Sequence, residues 1–156
     1  RQRQMFKRDS NVTYKVADNY PALCQDIYVV GVGTKLAKDL RLTAEWLHVD
    51  ADDYDGDKDG YTVGLKYRGA KAAKAGSWGL VAKYYDQGAS TYIDHTMNGL
   101  ADNKLFTGDE GFKGYSVAAN YTFAKNIVGQ VEWYDLDQKE GNKDAQTLWS
   151  QVVFTF

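Results

Sequence analysis

Apolar residues recur at every second position over most of this chain, and no other feature restricts its fold as much. Leu40, Leu42, Ala44 and Trp46 share one parity, while Arg41, Thr43 and Glu45 share the other. Tyr61, Val63, Leu65 and Tyr67 alternate in the same way with Thr62, Gly64, Lys66 and Arg68, and Tyr115, Val117, Ala119, Tyr121 and Phe123 with Ser116, Ala118, Asn120 and Thr122. A period of two belongs to a β-strand with one apolar and one polar face. Strands are expected at 27–36, 40–50, 60–68, 77–86, 113–123, 127–137 and 147–156. The composition agrees: twelve Tyr and four Trp stand beside fifteen Gly and one Pro, which favours strands and turns over helices.

Each run spans about ten residues, the length a tilted strand needs to cross the hydrocarbon layer of a bilayer. The links between runs alternate in character. Ala37-Lys38-Asp39 and Ala124-Lys125-Asn126 are tight turns, and "GAKAAKAG" from Gly69 is a small-residue, lysine-bearing link at the same end. The other end carries "DADDYDGDKDG" from Asp50, the long segment from Gln87 to Phe112, and "DQKEGNKDAQ" from Asp137. Short turns on one rim and long acidic loops on the other are the pattern of transmembrane barrels. Aromatic residues of the apolar parity gather at both ends of the runs. Trp46, Tyr61, Tyr84, Tyr115 and Trp133 fall toward the long loops, and Tyr67, Trp78, Tyr121, Phe123, Phe154 and Phe156 toward the short turns. Val63, Leu80, Ala82, Val117, Ala119, Val131 and Val152 lie between them. Two aromatic belts around an aliphatic waist fit the two interfaces of a membrane, with Trp46, Tyr67, Trp78, Tyr84, Tyr121 and Trp133 as the candidate interface residues. The expected fold is all-β, a transmembrane antiparallel up-and-down β-barrel; a soluble β-sandwich is the competing architecture.

In a barrel the polar parity lines the lumen. Lys35, Arg41, Glu45, Lys66, Arg68, Lys83 and Glu132 are the candidate pore-lining residues. Facing lipid, an Arg or Lys at mid-bilayer would cost about 2–4 kcal/mol, whereas facing water it is inexpensive. Five cations against two carboxylates give a mild preference for anionic solutes. Alternatively these charges pair across strands and only keep the wall wet. The segment 87–112 either folds inward and narrows the bore or stands outward as an acidic loop.

"DGDKDG" at Asp55–Gly60 matches the first half of an EF-hand loop, with Asp55, Asp57 and Asp59 as weak candidate metal ligands. The match stops at position twelve, where Lys66 replaces the bidentate carboxylate, and the flanks are strands rather than helices. No cofactor is expected. His48 and His95 lack nucleophile-elbow or zinc spacing, so an enzyme is not expected either. A net charge of −2 gives no pull toward nucleic acid, and one cysteine allows no internal disulfide.

An internal repeat pairs "AKDLRLTAEWLHVD" from Ala37 with "AKNIVGQVEWYDLD" from Ala124, each a tight turn followed by an outgoing strand. The second copy, its Gly/Asn/Lys loop and the closing "SQVVFTF" resemble the porin domain of outer-membrane proteins with an S-layer homology domain, found in diderm Firmicutes. The resemblance covers about residues 26–156 and implies a bacterial outer-membrane location. It also implies Phe156 as a signal to the barrel assembly machinery, and outer-membrane lipids and small hydrophilic solutes as partners, with a homotrimer as the expected assembly. The family's peptidoglycan-binding domain is not among these residues. On this basis 1–26 is expected to be a truncated strand end with an extracellular loop, and 27–156 to hold the C-terminal strands of a larger barrel of about sixteen strands, wide enough for an aqueous channel. The expected function is passive diffusion of small hydrophilic solutes and ions. A small plugged barrel, acting as an adhesin or structural anchor through its acidic loops, is the alternative.

Overall fold

Short links and continuous alternation leave each run its sequence neighbours as the nearest partners, and the strands pair accordingly. A computed structural model of the chain describes residues 3–7, 10–20, 24–50, 56–88, 91, 111–139 and 141–156, with side chains from Tyr28 onward. The strands are β1 (Arg3–Lys7), β2 (Ser10–Tyr20), β3 (Cys24–Ala37), β4 (Leu40–Asp50), β5 (Asp59–Arg68), β6 (Trp78–Gln87), β7 (Phe112–Ala124), β8 (Ile127–Gln138) and β9 (Asp144–Phe154). All nine lie in one antiparallel sheet in chain order, an up-and-down meander. Among the described residues β1 and β9 are free edges, so the sheet is open.

The seven expected runs are β3 to β9, displaced by no more than a few residues at either end. Within 1–26 the described residues hold β1, β2 and the start of β3, with β2 paired to β3 from Ser10–Thr34 to Tyr20–Cys24. "NVTYKVADNY" alternates less cleanly than the later runs, but backbone pairing with β3 requires no apolar face.

Both copies of the internal repeat form the same hairpin. Ala37 pairs with Leu40 across Lys38-Asp39, and Ala124 with Ile127 across Lys125-Asn126. Each has a register shift just before the turn, at Lys35/Ala37 and at Thr122/Ala124. Asn126 takes the left-handed conformation, at φ 67°, which Asn tolerates better than most residues.

The two faces of the sheet differ in an unusual direction. The apolar parity is exposed: Trp46 at 45%, Leu80 at 44% and Val131 at 48%. The opposite parity is buried on β7 and β8, with Ser116 at 1%, Ala118 at 3% and Glu132 at 4%, while Lys35, Arg41, Glu45, Lys66 and Lys83 on the same parity are exposed. The buried side is called the inner face below. At the short-turn rim the link after β5 lies against it. The Gly69 and Ala70 backbone crosses Gly79 and Asn120, with Ala70 N–H donating to Asn120 Oδ1 at 3.0 Å. Gly76 N–H donates to the Thr122 carbonyl at 2.8 Å, and Asn126 N–H to the Ala72 carbonyl at 2.7 Å. Ser77 Oγ and Thr122 Oγ1 are 3.0 Å apart.

A Cβ at Gly79 would stand 2.5 Å from Gly69 Cα, a backbone atom that cannot give way. Gly79→Ala should therefore dislodge the link and cost about 1–3 kcal/mol, read as a lower unfolding temperature by far-ultraviolet circular dichroism in detergent. Gly69→Ala, whose nearest neighbour is the flexible end of Lys66 at 3.4 Å, should cost much less.

Candidate functional site

On the outer face the aromatic residues occupy two rows. Toward the long loops, Trp46 lies opposite Tyr61 and Tyr84 opposite Tyr115. Toward the short turns, Trp78 lies opposite Tyr121. Tyr115 and Trp133 meet edge to face at 5.9 Å, and so do Tyr67 and Trp78 at 5.8 Å. The upper row carries its polar ends away from the waist. Tyr61 donates its hydroxyl to Asp86 at 3.0 Å, and Tyr115 to Asp135 at 3.0 Å. His48 stacks on Trp46 and sits 2.9 Å from Asp59 across the β4–β5 pair, on this same outer face. A ring on the apolar side with its hydroxyl turned to a carboxylate is an amphipathic boundary. Trp46, Tyr67, Trp78, Tyr84, Tyr121 and Trp133 all lie exposed on this face. Phe156 is fully exposed, just beyond β9.

The inner face is divided along the sheet. On the β3–β5 side Lys35 lies directly opposite Arg41, and Arg41 directly opposite Lys66. Three cations in one cross-strand row repel one another, and among the described residues none of them forms an ion pair. Glu45 lies over Gly31 rather than over that row. On the β6–β9 side, apart from Lys83 on β6, the face is a neutral and acidic ladder. Gln151 Nε2 donates to Gln130 Oε1 at 3.3 Å, and Gln130 Nε2 donates to Glu132 Oε2 at 3.3 Å. Ser116 Oγ donates to Glu132 Oε1 at 3.1 Å, and Tyr85 OH lies 3.3 Å from Ser116 Oγ. Glu132 is therefore packed within this ladder and not presented to open water.

Arg68 departs from the expected lining. Its backbone has φ 57°, the left-handed region at the end of β5, and this turns the side chain round the rim. The guanidinium carbon lies 5.5 Å from the Tyr67 ring and 5.0 Å from the Trp78 ring, with Asp39 at 3.7 Å. The arginine thus caps the outer aromatic row instead of facing inward. Lys35, Arg41, Lys66 and Lys83 remain on the inner parity.

At the long-loop rim the inner face turns apolar. Tyr85, Phe112, Tyr134 and Leu136 form a buried cluster, with Ala145 and Trp149 packed against it. The start of the long segment also turns to this side. Thr91, buried, donates to Gln87 Oε1 at 3.0 Å, and Gln87 Nε2 donates to Thr62 Oγ1 at 2.9 Å. The question of inward folding for the rest of 87–112 falls on 92–110, outside the described residues, and so does His95.

The acidic loops hold a cation of the chain's own. Lys139 Nζ bonds both Asp57 Oδ2 and Asp86 Oδ1, tying the β8–β9 loop to the β4–β5 loop and the end of β6. Burial pulls the Lys139 ammonium down, but hydrogen bonds to Asp57 and Asp86 and their charges outweigh it, leaving it at about 12. The Lys139 hydrogen bond holds the Asp57 carboxyl below its ordinary value against burial, aided by the Asp59 N–H at 3.1 Å. Asp57 is thus turned to Lys139 and Asp59 to His48, while Asp55 lies outside the described residues. Among the described residues no cluster is suited to a metal ion. Nothing near Asp57 in sequence points to Lys139, 82 residues away.

No protein-family model matches this chain, and a search among curated proteins returns no match.

Lys139→Met should loosen the long-loop rim by about 1 kcal/mol per lost pair, measured as a lower unfolding temperature and faster proteolytic cleavage in the loops at pH 7. Asp57 has a depressed folded pKa, so its contribution is present above the ordinary 3.8 and lost as pH falls through its folded value. The difference between the wild type and the variant should therefore shrink as the pH falls below 3.8. Lys139 is raised above 10.5, so its contribution is complete below that value and lost only as pH rises through about 12.

Proposed function

We propose that this sheet is part of the wall of a transmembrane antiparallel up-and-down β-barrel that conducts small hydrophilic solutes and ions by passive diffusion. The supporting observation is the inversion of its two faces: an exposed aliphatic waist between two aromatic rows, backed by an inner face rich in Lys, Arg, Gln and Glu. A water-filled bore sets a size limit through its width and biases ions through the charge of its lining, with no covalent chemistry. The free edges of β1 and β9 would be costly in lipid, where every backbone N–H and C=O needs a partner. Further strands beyond these edges would close the wall, and a barrel of about sixteen strands leaves an aqueous channel. The outer membrane of a diderm bacterium, relationship to the S-layer-homology porins, assembly as a homotrimer and recognition of Phe156 by the barrel assembly machinery belong to the same proposal.

A second reading has its own support. The apolar cluster of Tyr85, Phe112, Tyr134 and Leu136 fills the long-loop end of the inner face, as side chains fill narrow barrels. A plugged barrel of that kind would serve as an adhesin or anchor through its loops.

Planar-bilayer recordings of the purified full-length protein separate the two. Stable, large conductance steps are the expected outcome, and consistently silent bilayers would favour the plugged barrel. Lys66→Glu combined with Lys83→Glu should move the reversal potential in a salt gradient toward cation selectivity; an unchanged potential would remove both residues from the conducting wall. Outer-face placement is tested separately in vesicles, where brominated acyl chains should quench the fluorescence of Trp46 and Trp133, leaving each emission high if that face is packed against protein.

A further inference from the structure

We propose that the inner face at the short-turn rim is a binding site for multivalent oxyanions, the class of pyrophosphate and other phosphorylated small solutes. A recess of about 710 Å³ lies there, between the β3–β5 wall and the link after β5. Lys35, Arg41 and Lys66 reach it from three adjacent strands in one cross-strand row. Lys38 joins them from the β3–β4 turn, and Lys71 and Lys74 from the link. Among the described residues Asp39 is the one carboxylate lining the recess, and it is already paired with Arg68.

What gathers these cations is backbone, not counter-charge. The register of β3, β4 and β5 fixes the row, and the link is held over the inner face by its hydrogen bonds to Asn120, Thr122 and Asn126. Lys66 Nζ lies 3.7 Å from the point where a Cβ on Gly69 would stand, so the strand cation sits directly beneath the link. Among the described residues Lys35, Arg41, Lys66, Lys71 and Lys74 have no ion-pair partner. Like charges placed opposite one another raise the energy of the empty site, and a ligand with several negative charges relieves that repulsion at several positions at once. Arg41 adds a planar fork suited to two oxygens of one phosphate, while the lysines act as point charges. A recess of this size is larger than a single phosphate needs, which favours ligands with separated anionic groups.

Capture of such solutes at the mouth of a pore rests on the channel reading; binding itself requires only that this rim meets water. The same chemistry would also take the phosphate of an anionic lipid headgroup.

The test titrates pyrophosphate into the purified full-length protein in uncharged detergent, by calorimetry at constant ionic strength. Saturable binding is expected, with Lys66→Gln combined with Lys71→Gln weakening it by about tenfold or more, and Lys66→Arg combined with Lys71→Arg staying within about threefold. Absence of saturation, or wild-type affinity in the double Gln variant, overturns the site. Repeating the titration in nanodiscs with and without phosphatidylglycerol assigns the source: a loss of about tenfold in apparent affinity identifies the lipid phosphate as an occupant by competition, and an unchanged affinity identifies the free solute. Binding without conductance steps would sink the channel and leave the site standing. Steps without binding would sink the site alone.

Discussion

An apolar sheet face left uncovered is costly in water, and the rest of this structure is arranged around that constraint. Burial of a single Leu, Val or Phe side chain is worth about 1.5–3 kcal/mol, so water is a poor medium for a face carrying Trp46, Val63, Leu80, Val117, Val131 and Val152 in adjoining rows. Among the described residues all nine strands lie in one sheet, and no second layer of strands covers that face. The burial runs the other way, onto glycine, serine, threonine and glutamate of the opposite parity. A soluble sandwich has the reverse distribution.

The two rims show where such a medium would end. Toward the long loops the outer parity passes from rings to carboxylates within two residues, as from Tyr84 to Asp86 and from Trp133 to Asp135. The Tyr61 and Tyr115 hydroxyls already point to those carboxylates. Toward the short turns Arg68 lies over Tyr67 and Trp78, a cation placed where aromatic rings meet a polar boundary. Beyond the upper boundary the loops are tied by Lys139, which neutralises part of an otherwise acidic rim.

The inner face is three surfaces in one: a cationic sector on β3–β5, a hydrogen-bonded Gln–Glu–Ser–Tyr ladder on β6–β9, and an apolar cluster at the long-loop end. Of the charges on this wall, Lys35, Arg41 and Lys66 stand in the first sector and Lys83 on β6, while the Glu132 carboxylate is hydrogen-bonded within the ladder of the second. With Arg68 turned to the outer face, four cations and two carboxylates of the expected lining remain on the inner parity.

The alternation alone determined the strands from β3 onward, their faces and the position of the aromatic rows, because a period of two leaves each side chain only one of two sides. It also exposed the repeated hairpin, since "AKDL" and "AKNI" occupy equivalent turns. It missed β2, whose pairing depends on backbone bonds to β3 and leaves little mark in side-chain pattern. Tertiary structure alone decided the direction of Arg68, reversed by one left-handed residue at a strand end; the packing of Glu132; the partnership of Lys139 with Asp57 and Asp86; and the gathering of Lys66, Lys71 and Lys74 around one recess. These arise where a strand stops or a link folds back. At such points parity no longer constrains direction, and the partner is chosen by proximity in space between residues far apart in the chain.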